Sequence, residues 1–412
     1  MKSNKFWSAA SKTLAAVAAV VIATLVLAPG AWACGKFKTL YKFTEEQGFF
    51  AHWMLTFDAA GNLYGTSCYG GSSGNGVVFQ LAPSPDGSWT ETTLHDFTGG
   101  ADGSCPQGAL IFDAAGNLYA SAYSGGANGA GNVFELTPDL DGSWTESVLY
   151  TFTGSADGAG PNPIIFDAEG ALYGTVTWNG TKGWGGVFKL TQNLDGTWAE
   201  SNLHSFTGGK DGGHPVTNLI FDSVGALYGM TQWGGAYGNG VVFSLTPSPD
   251  GSWKERVLHT FTGGKDGNDG GEGLTFDPAG NLYGATWGGG AYGNGVVYKL
   301  TPNSSGGWKE TVPHAFTGGR DGSNGGATEL TFDSAGSLYG TANGGGTYGY
   351  GVVFKLTPNS SGGWKETVLH TFEDTPGAAP DGGVIFDAAG NLYGTTGGDG
   401  SKTFGSVYEI TP

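Results

Sequence analysis

Positive charge is scarce in this chain. Charged residues make up 13% of its 412 positions, with 18 Lys and Arg against 36 Asp and Glu. The net charge of −18 repels phosphate backbones and anionic lipid surfaces, so nucleic acid is not an expected partner. Cysteine is scarcer still. Cys34, Cys68 and Cys105 are the three present, their spacing fits no zinc or thiol-redox motif, and any pairing leaves one thiol over. No nucleophile elbow, phosphate-binding loop or H-E-x-x-H helix occurs, so no catalytic residue is assigned from a motif. Heptads and amphipathic 3.6-residue patterns are also missing, which removes helical folds from consideration.

Long apolar runs are confined to the start. Lys2, Lys5 and Lys12 precede an apolar stretch from Leu14 to Ala28, then Pro29-Gly30 and the A-x-A signal Ala31-Trp32-Ala33. That order reads as a secretory signal peptide over residues 1–33, cleaved after Ala33, too short in its apolar part for a comfortable transmembrane helix. Its removal takes three lysines and no carboxylates and moves the net charge from −18 to −21. A secreted or periplasmic protein with no transmembrane segment in its mature chain is expected. Cys34 stands where a lipidated cysteine would. Ala31 and the bulky Trp32 replace the aliphatic and small residues of a lipoprotein signal, so plain export is expected in place of a lipid anchor.

What the chain holds in excess is glycine, 79 residues, together with 13% aromatics. Their order is the informative part. The stretch Phe57-Asp-Ala-Ala-Gly-Asn-Leu-Tyr-Gly-Thr66 recurs at Phe112, Phe166, Phe221, Phe276, Phe332 and Phe386. Measured on Asp58, Asp113, Asp167, Asp222, Asp277, Asp333 and Asp387, the spacings are 55, 54, 55, 55, 56 and 54 residues. Seven copies at a constant period mean one supersecondary unit repeated. Within a copy, a short apolar run, a turn carrying Asp and Gly, a second strand, a glycine-rich loop, a third strand, another turn and a long alternating fourth strand follow in order. Four antiparallel strands per copy describe a propeller blade.

The chain ends complete the pattern. The seventh copy stops at Pro412 without a fourth strand, while Lys38-Thr-Leu-Tyr-Lys-Phe43 aligns with the fourth strand Thr92-Thr-Leu-His-Asp-Phe97 and has no blade of its own. Pairing the two would close a ring and remove an exposed sheet edge. The sequence therefore predicts an all-β, seven-bladed β-propeller filling residues 34–412 as a single, monomeric domain, its last blade completed by the N-terminal strand.

Repeated polar positions read as structural. His95, His204, His259, His314 and His370 share one place in the fourth strand, which Tyr41 and Tyr150 fill in the other two blades. Lying in separate blades, they do not converge on a metal; a hydrogen bond from strand to loop suits both residue types. The Asp-Gly pairs at Asp102, Asp157, Asp211, Asp266, Asp321 and Asp381 read as turns, although carboxylates in loops leave calcium as a conceivable ligand. No other cofactor is implied.

Function is expected where copies differ. Glycine loops carry Trp178, Trp184, Trp233 and Trp287, which read either as platforms for a ligand or as packing between blades. Trp178, Trp233 and Trp287 are expected to form one arc across blades three to five. The irregular first loop, with His52 and Trp53, and Asn218, Glu272 and Glu329 at the starts of innermost strands are expected near the mouth of a central channel. Cys68 and Cys105 occur in no other copy and would bridge blades one and two; two unrelated buried thiols are the alternative.

The full pattern, L-x-F-D-x-x-G-N-L-Y-G-T-T through Y-G-x-G-V-V-F-K-L-T-P to W-x-E-x-V-L-H-x-F-x-G-G-x-D-G, resembles the GloVer repeat of exported bacterial proteins over residues 38–412. The order of elements is similar to NHL-type propeller repeats. Neither resemblance implies a catalytic mechanism. The expected function is an exported, non-enzymatic propeller binding a polysaccharide or cell-surface component through its loop-rich face. The alternatives are a glycan hydrolase or lyase using carboxylates at the channel mouth, and a purely structural envelope protein.

Overall fold

A computed structural model describes residues 36–411 apart from 49, 50, 52, 328, 375, 376 and 399–403. Seven antiparallel sheets stand around a ring, and two three-residue 3-10 turns are the only helical pieces among the described residues. Blade one comprises Thr56–Phe57, Leu63–Ser67, Val77–Pro83 and Trp89–Asp96, and blade two Ser104–Phe112, Leu118–Ser124, Asn132–Pro138 and Trp144–Thr151. Blades three and four have an innermost strand in two pieces: Ala159–Pro161 with Ile165–Phe166, and Gly213–Pro215 with Ile220–Phe221. Their second strands are Leu172–Trp178 and Leu227–Trp233. Blade five begins at Asn268–Phe276, blade six at Thr331–Phe332 and blade seven at Ile385–Phe386.

One register serves every blade. The leucine of L-Y-G pairs with the aliphatic residue of the third strand in all seven, from Leu63↔Leu81 to Leu392↔Ile410. In six blades glycine follows the tyrosine and leaves room for the neighbouring ring: a Cβ at Gly174 would stand 2.6 Å from Phe188, while blade two holds Ala120 opposite Phe134. The F-D aspartate makes the turn. Asp58 Oδ1 accepts the amides of Ala60 (2.8 Å) and Asn62 (2.9 Å), while Oδ2 accepts the Tyr64 hydroxyl at 3.1 Å. The same set recurs in the other six copies, for example around Asp387.

Blades are wedged together by aromatic pairs. At each of the seven seams a phenylalanine that follows the fourth strand meets, edge to face, the ring at the centre of the next blade's third strand. Phe97–Phe134 lies at 5.2 Å and Phe261–Tyr298 at 5.2 Å. A second pair joins the tyrosine of one L-Y-G to the phenylalanine of a neighbouring F-D, as in Tyr64–Phe112 at 5.1 Å. Each pair adds about 0.5–1.5 kcal/mol beyond its burial. Lys36–Lys42 completes blade seven by pairing with Ser406–Thr411, with Phe37 opposite Ile410 and Tyr41 opposite Val407. Phe43–Phe79 and Phe57–Tyr393 then supply the same two contacts at the closing seam, 5.0 and 5.1 Å apart. The ring closes as the sequence predicts.

Four of the five fourth-strand histidines tie strand to loop, while His370 stacks on Phe37 at 3.8 Å. His95, His204, His259 and His314 face Asp102, Asp211, Asp266 and Asp321 at 3.4–3.7 Å, and Tyr150 donates to Asp157 at 3.1 Å. Each aspartate also receives the amide and hydroxyl of the threonine that opens its loop.

Candidate functional site

The long loops emerge on one face and are set by backbone bonds before side chains enter. Where the chain enters blades two to seven it turns through a left-handed residue: Cys105, Gly160, His214, Asp269, Asn324 or Ala379, with φ between 54° and 66°; the first five follow an Asp-Gly pair, whereas Ala379 precedes Asp381. Each of these amides donates to a carbonyl of the preceding blade's glycine loop, at Asn75, Ala130, Trp184, Asn239, Asn294 and Tyr350, over 2.8–3.1 Å. This region costs a non-glycine residue free energy, so the surrounding bonds must enforce it.

At blade four the residue so held is His214. Its ring lies edge to face with Trp178 (4.4 Å), Trp233 (4.5 Å) and Trp184 (5.1 Å). Trp178 and Trp233 end the second strands of blades three and four, so their register matches and their centroids are 6.3 Å apart. Trp178 Nε1 donates to the Tyr123 hydroxyl of blade two. The three indoles are 38–42% exposed, whereas His214 is 5% exposed with Nδ1 buried and unpartnered. Desolvation lowers the His214 pKa against a bond to the Thr177 backbone, so the ring is neutral at pH 7. A band of open indole faces seated on a neutral histidine can stack against flat or C–H-rich ligand surfaces.

Trp287 does not join this band. It is the sixth residue of its strand, Leu282–Gly288, while Trp178 and Trp233 are the seventh of theirs. Strand alternation turns a one-residue offset to the other face of the blade, and Trp287 packs against Gly326. The arc therefore runs from blade two to blade four instead of three to five. Trp53 is 7% exposed, its carbonyl accepting the Thr395 hydroxyl across the closing seam at 3.3 Å. His52 lies outside the described residues, as do residues 1–33 and Cys34.

A second polar group gathers at the innermost strands. The Glu272 carbonyl accepts the Asn218 amide at 2.9 Å, and the Asn218 side-chain oxygen is buried without a partner. Burial, then Asp381 and Glu329, push the Glu272 carboxyl well above its usual range. Burial raises Glu329 to about 7 and Asp381 to about 6, the latter opposed by a bond from Asn343. Carboxyls that hold protons near neutrality can serve as acids or bases. No group of three His, Cys, Asp or Glu suited to a metal occurs among the described residues. His214 and Asp381 were the residues least visible in sequence. Their only signals were a histidine outside the repeated register and an Asp-Gly pair displaced from the others.

The sulfurs of Cys68 and Cys105 are bonded across the seam of blades one and two. Their Cα atoms are 3.8 Å apart, closer than the usual 4.4–6.8 Å. The Cys105 amide, bound to the Asn75 carbonyl at 2.8 Å, draws the two backbones together.

The family model of the Gloeobacter/Verrucomicrobia repeat matches residues 3–164, 139–331 and 248–412. No curated protein matches the chain. Among solved structures it resembles the extracellular domain of a one-component system from B. thetaiotaomicron, with a TM-score of 0.56 and 13% identity over 91% of this chain and 40% of the other. It also resembles the extracellular domain of a hybrid two-component system from the same organism, at 0.52 and 11% over 90% of this chain and 39% of that one. The chain spans about 40% of the length of these structures, and likeness at this identity shows the fold alone. No helix among the described residues is long and apolar enough to cross a membrane.

Proposed function

The chain belongs to the Gloeobacter/Verrucomicrobia repeat family, and we propose that it is an exported, non-enzymatic propeller that binds a polysaccharide through its loop-rich face. The observation that carries this reading is the set of indoles at Trp178, Trp184 and Trp233, each about two-fifths exposed around a buried neutral histidine. Clustered open aromatic surface is uncommon on a protein that binds nothing. Sugar rings offer axial C–H faces that stack on indole, and hydroxyls that bond to the polar loop backbone. Export directed by residues 1–33, as their sequence is read, would bring such a protein to where polysaccharides are met.

A glycan array probed with protein lacking residues 1–33, with and without calcium, tests this. Capture of at least one polysaccharide is expected, lost in Trp178→Ala/Trp233→Ala with unchanged melting. Capture unaffected by the double substitution would assign the indoles to packing. Calcium dependence would point to the Asp-Gly loops as cation ligands.

A second reading is favoured by Glu272, Glu329 and Asp381, whose raised pKa values suit general acid–base cleavage of glycosidic bonds. New reducing or unsaturated ends on a captured glycan, abolished by Glu272→Gln, would establish it. Binding with no product leaves the first reading in place.

A further inference from the structure

Cations are few in this protein, which makes their placement informative. In blades one and two the residue before the loop aspartate is Ala101 or Ala156; at the next three junctions it is Lys210, Lys265 and Arg320. All three cations are exposed, and Lys182 adds a fourth in the glycine loop of blade three. None of the four makes an ion pair among the described residues. The aspartates that follow Lys210, Lys265 and Arg320 are already occupied by threonine amides and hydroxyls and by a histidine.

Each cation-bearing loop is bonded to an aromatic one. Gly235 donates to the Gly209 carbonyl at 2.7 Å, Gly290 to Gly264 at 2.8 Å and Gly346 to Gly319 at 2.8 Å. These bonds set Lys210 beside the loop of Tyr237, Lys265 beside that of Tyr292 and Arg320 beside that of Tyr348. The three tyrosines are 55–63% exposed. Blade three extends the series, since the Trp184 ring lies against Gly208, two residues before Lys210. The rim thus joins a loop bearing an exposed cation to a loop bearing an open aromatic ring three times in succession, on a molecule whose overall charge is strongly negative.

Resting on the polysaccharide reading above, we infer that the rim of blades three to six binds an acidic polysaccharide, one whose sugars carry carboxylates in the manner of uronic acids. A repeating polymer with one anion per stacking unit meets both halves of each cation–tyrosine pair. A neutral glycan would leave the cations without purpose. The net charge opposes polyuronate and polyphosphate chains alike at longer range, so the choice between them rests on contact at the rim, where each sugar offers a C–H face to a tyrosine and a carboxylate to its cation.

Titrating polygalacturonate, uncharged dextran and single-stranded DNA into protein lacking residues 1–33, at low and high salt, tests the inference. Polygalacturonate should bind in preference to the other two, with the preference shrinking as salt rises. Lys210→Gln/Lys265→Gln/Arg320→Gln should weaken polygalacturonate about tenfold, for three exposed pairs, with melting unchanged. Equal binding of dextran and polygalacturonate, DNA binding as tight as polygalacturonate, or a triple variant that keeps full affinity each overturns the inference alone. Failure of the parent to bind polygalacturonate overturns the inference while capture of another glycan on the array keeps the reading beneath it; failure on the whole array overturns both.

Discussion

Blades one and two and blades three to six share one loop backbone and end in different side chains. Gly126 donates to Gly100 at 2.8 Å in blade two, just as Gly235 donates to Gly209 at 2.7 Å in blade four. Yet the tip residue is Ser73 or Asn128 in the first pair and Lys182, Tyr237, Tyr292 or Tyr348 in the others. Because amides and carbonyls fix the loops, the tips can diverge, although Asn128 adds a bond of its own to the Phe152 carbonyl at 3.0 Å. The plain sector shows what a blade needs, and the decorated sector shows what was added to it. That division can be broken or sharpened by experiment.

The largest effect is expected from the part both sectors depend on. Deleting residues 34–44 removes the strand Lys36–Lys42 and with it the Phe43–Phe79 wedge of the closing seam. Phe43 is 4% exposed, and losing one such ring costs about 3–5 kcal/mol before the bare strand Ser406–Thr411 is counted. Aggregation, or a fall of many degrees in the melting temperature, should follow. A truncated protein as soluble and as heat-stable as the parent would mean that the blades stand independently and the ring is incidental.

A smaller and more local effect separates the sectors. The Cys68–Cys105 bond crosses the seam of the two plain blades and joins residues 37 positions apart. On the chain-entropy account its reduction should cost roughly 3–4 kcal/mol. Because it lies away from Trp178 and Trp233, glycan capture well below the melting point should survive. Thiol counting on denatured, unreduced protein should leave only Cys34 free. Three free thiols, or binding lost on reduction, would count against this separation.

The fold was legible because each strand is encoded by the same residues in the same order. The orphan Lys38–Phe43 matched the missing fourth strand, and a pairing with Val407 and Ile410 followed from alignment alone. The site was legible only in part. Trp178 and Trp233 stood out as departures from the repeat and do come together. Trp287 stood out equally but faces the other way, because a one-residue offset that is invisible by eye inverts a side chain in a strand. His214 joins the indoles through a left-handed φ, and Glu272, Glu329 and Asp381 meet through the curvature of the ring. Neither property is local to the sequence.

The smallest expected effect is the pH dependence of stability, and it should be indifferent to sector. Glu146, Glu200, Glu255, Glu310 and Glu366 share one place in the fourth strand, each with a buried Oε1 that lacks a partner. Burial first, and the loop aspartate of the previous blade second, raise each carboxyl from 4.5 to about 7. A folded pKa above the unfolded one means the native state holds the proton longer. The associated stability is complete below about pH 4.5 and is lost as pH rises through about 7. His95, His204, His259 and His314 act in the opposite sense, since burial lowers their pKa below 6.5 and their contribution is lost as pH falls below that value. Above pH 6.5 those histidines are increasingly neutral in both states, so the glutamates dominate. The melting temperature should therefore fall between pH 6.5 and 8, and glutamine at all five glutamates should flatten that fall. Glu146→Gln in blade two and Glu255→Gln in blade four should flatten it by the same fraction, because their seams are built alike although their rims differ. A melting temperature constant or rising over this range would remove the glutamates from the account. Unequal fractions would show that the decoration of the rim reaches into the scaffold.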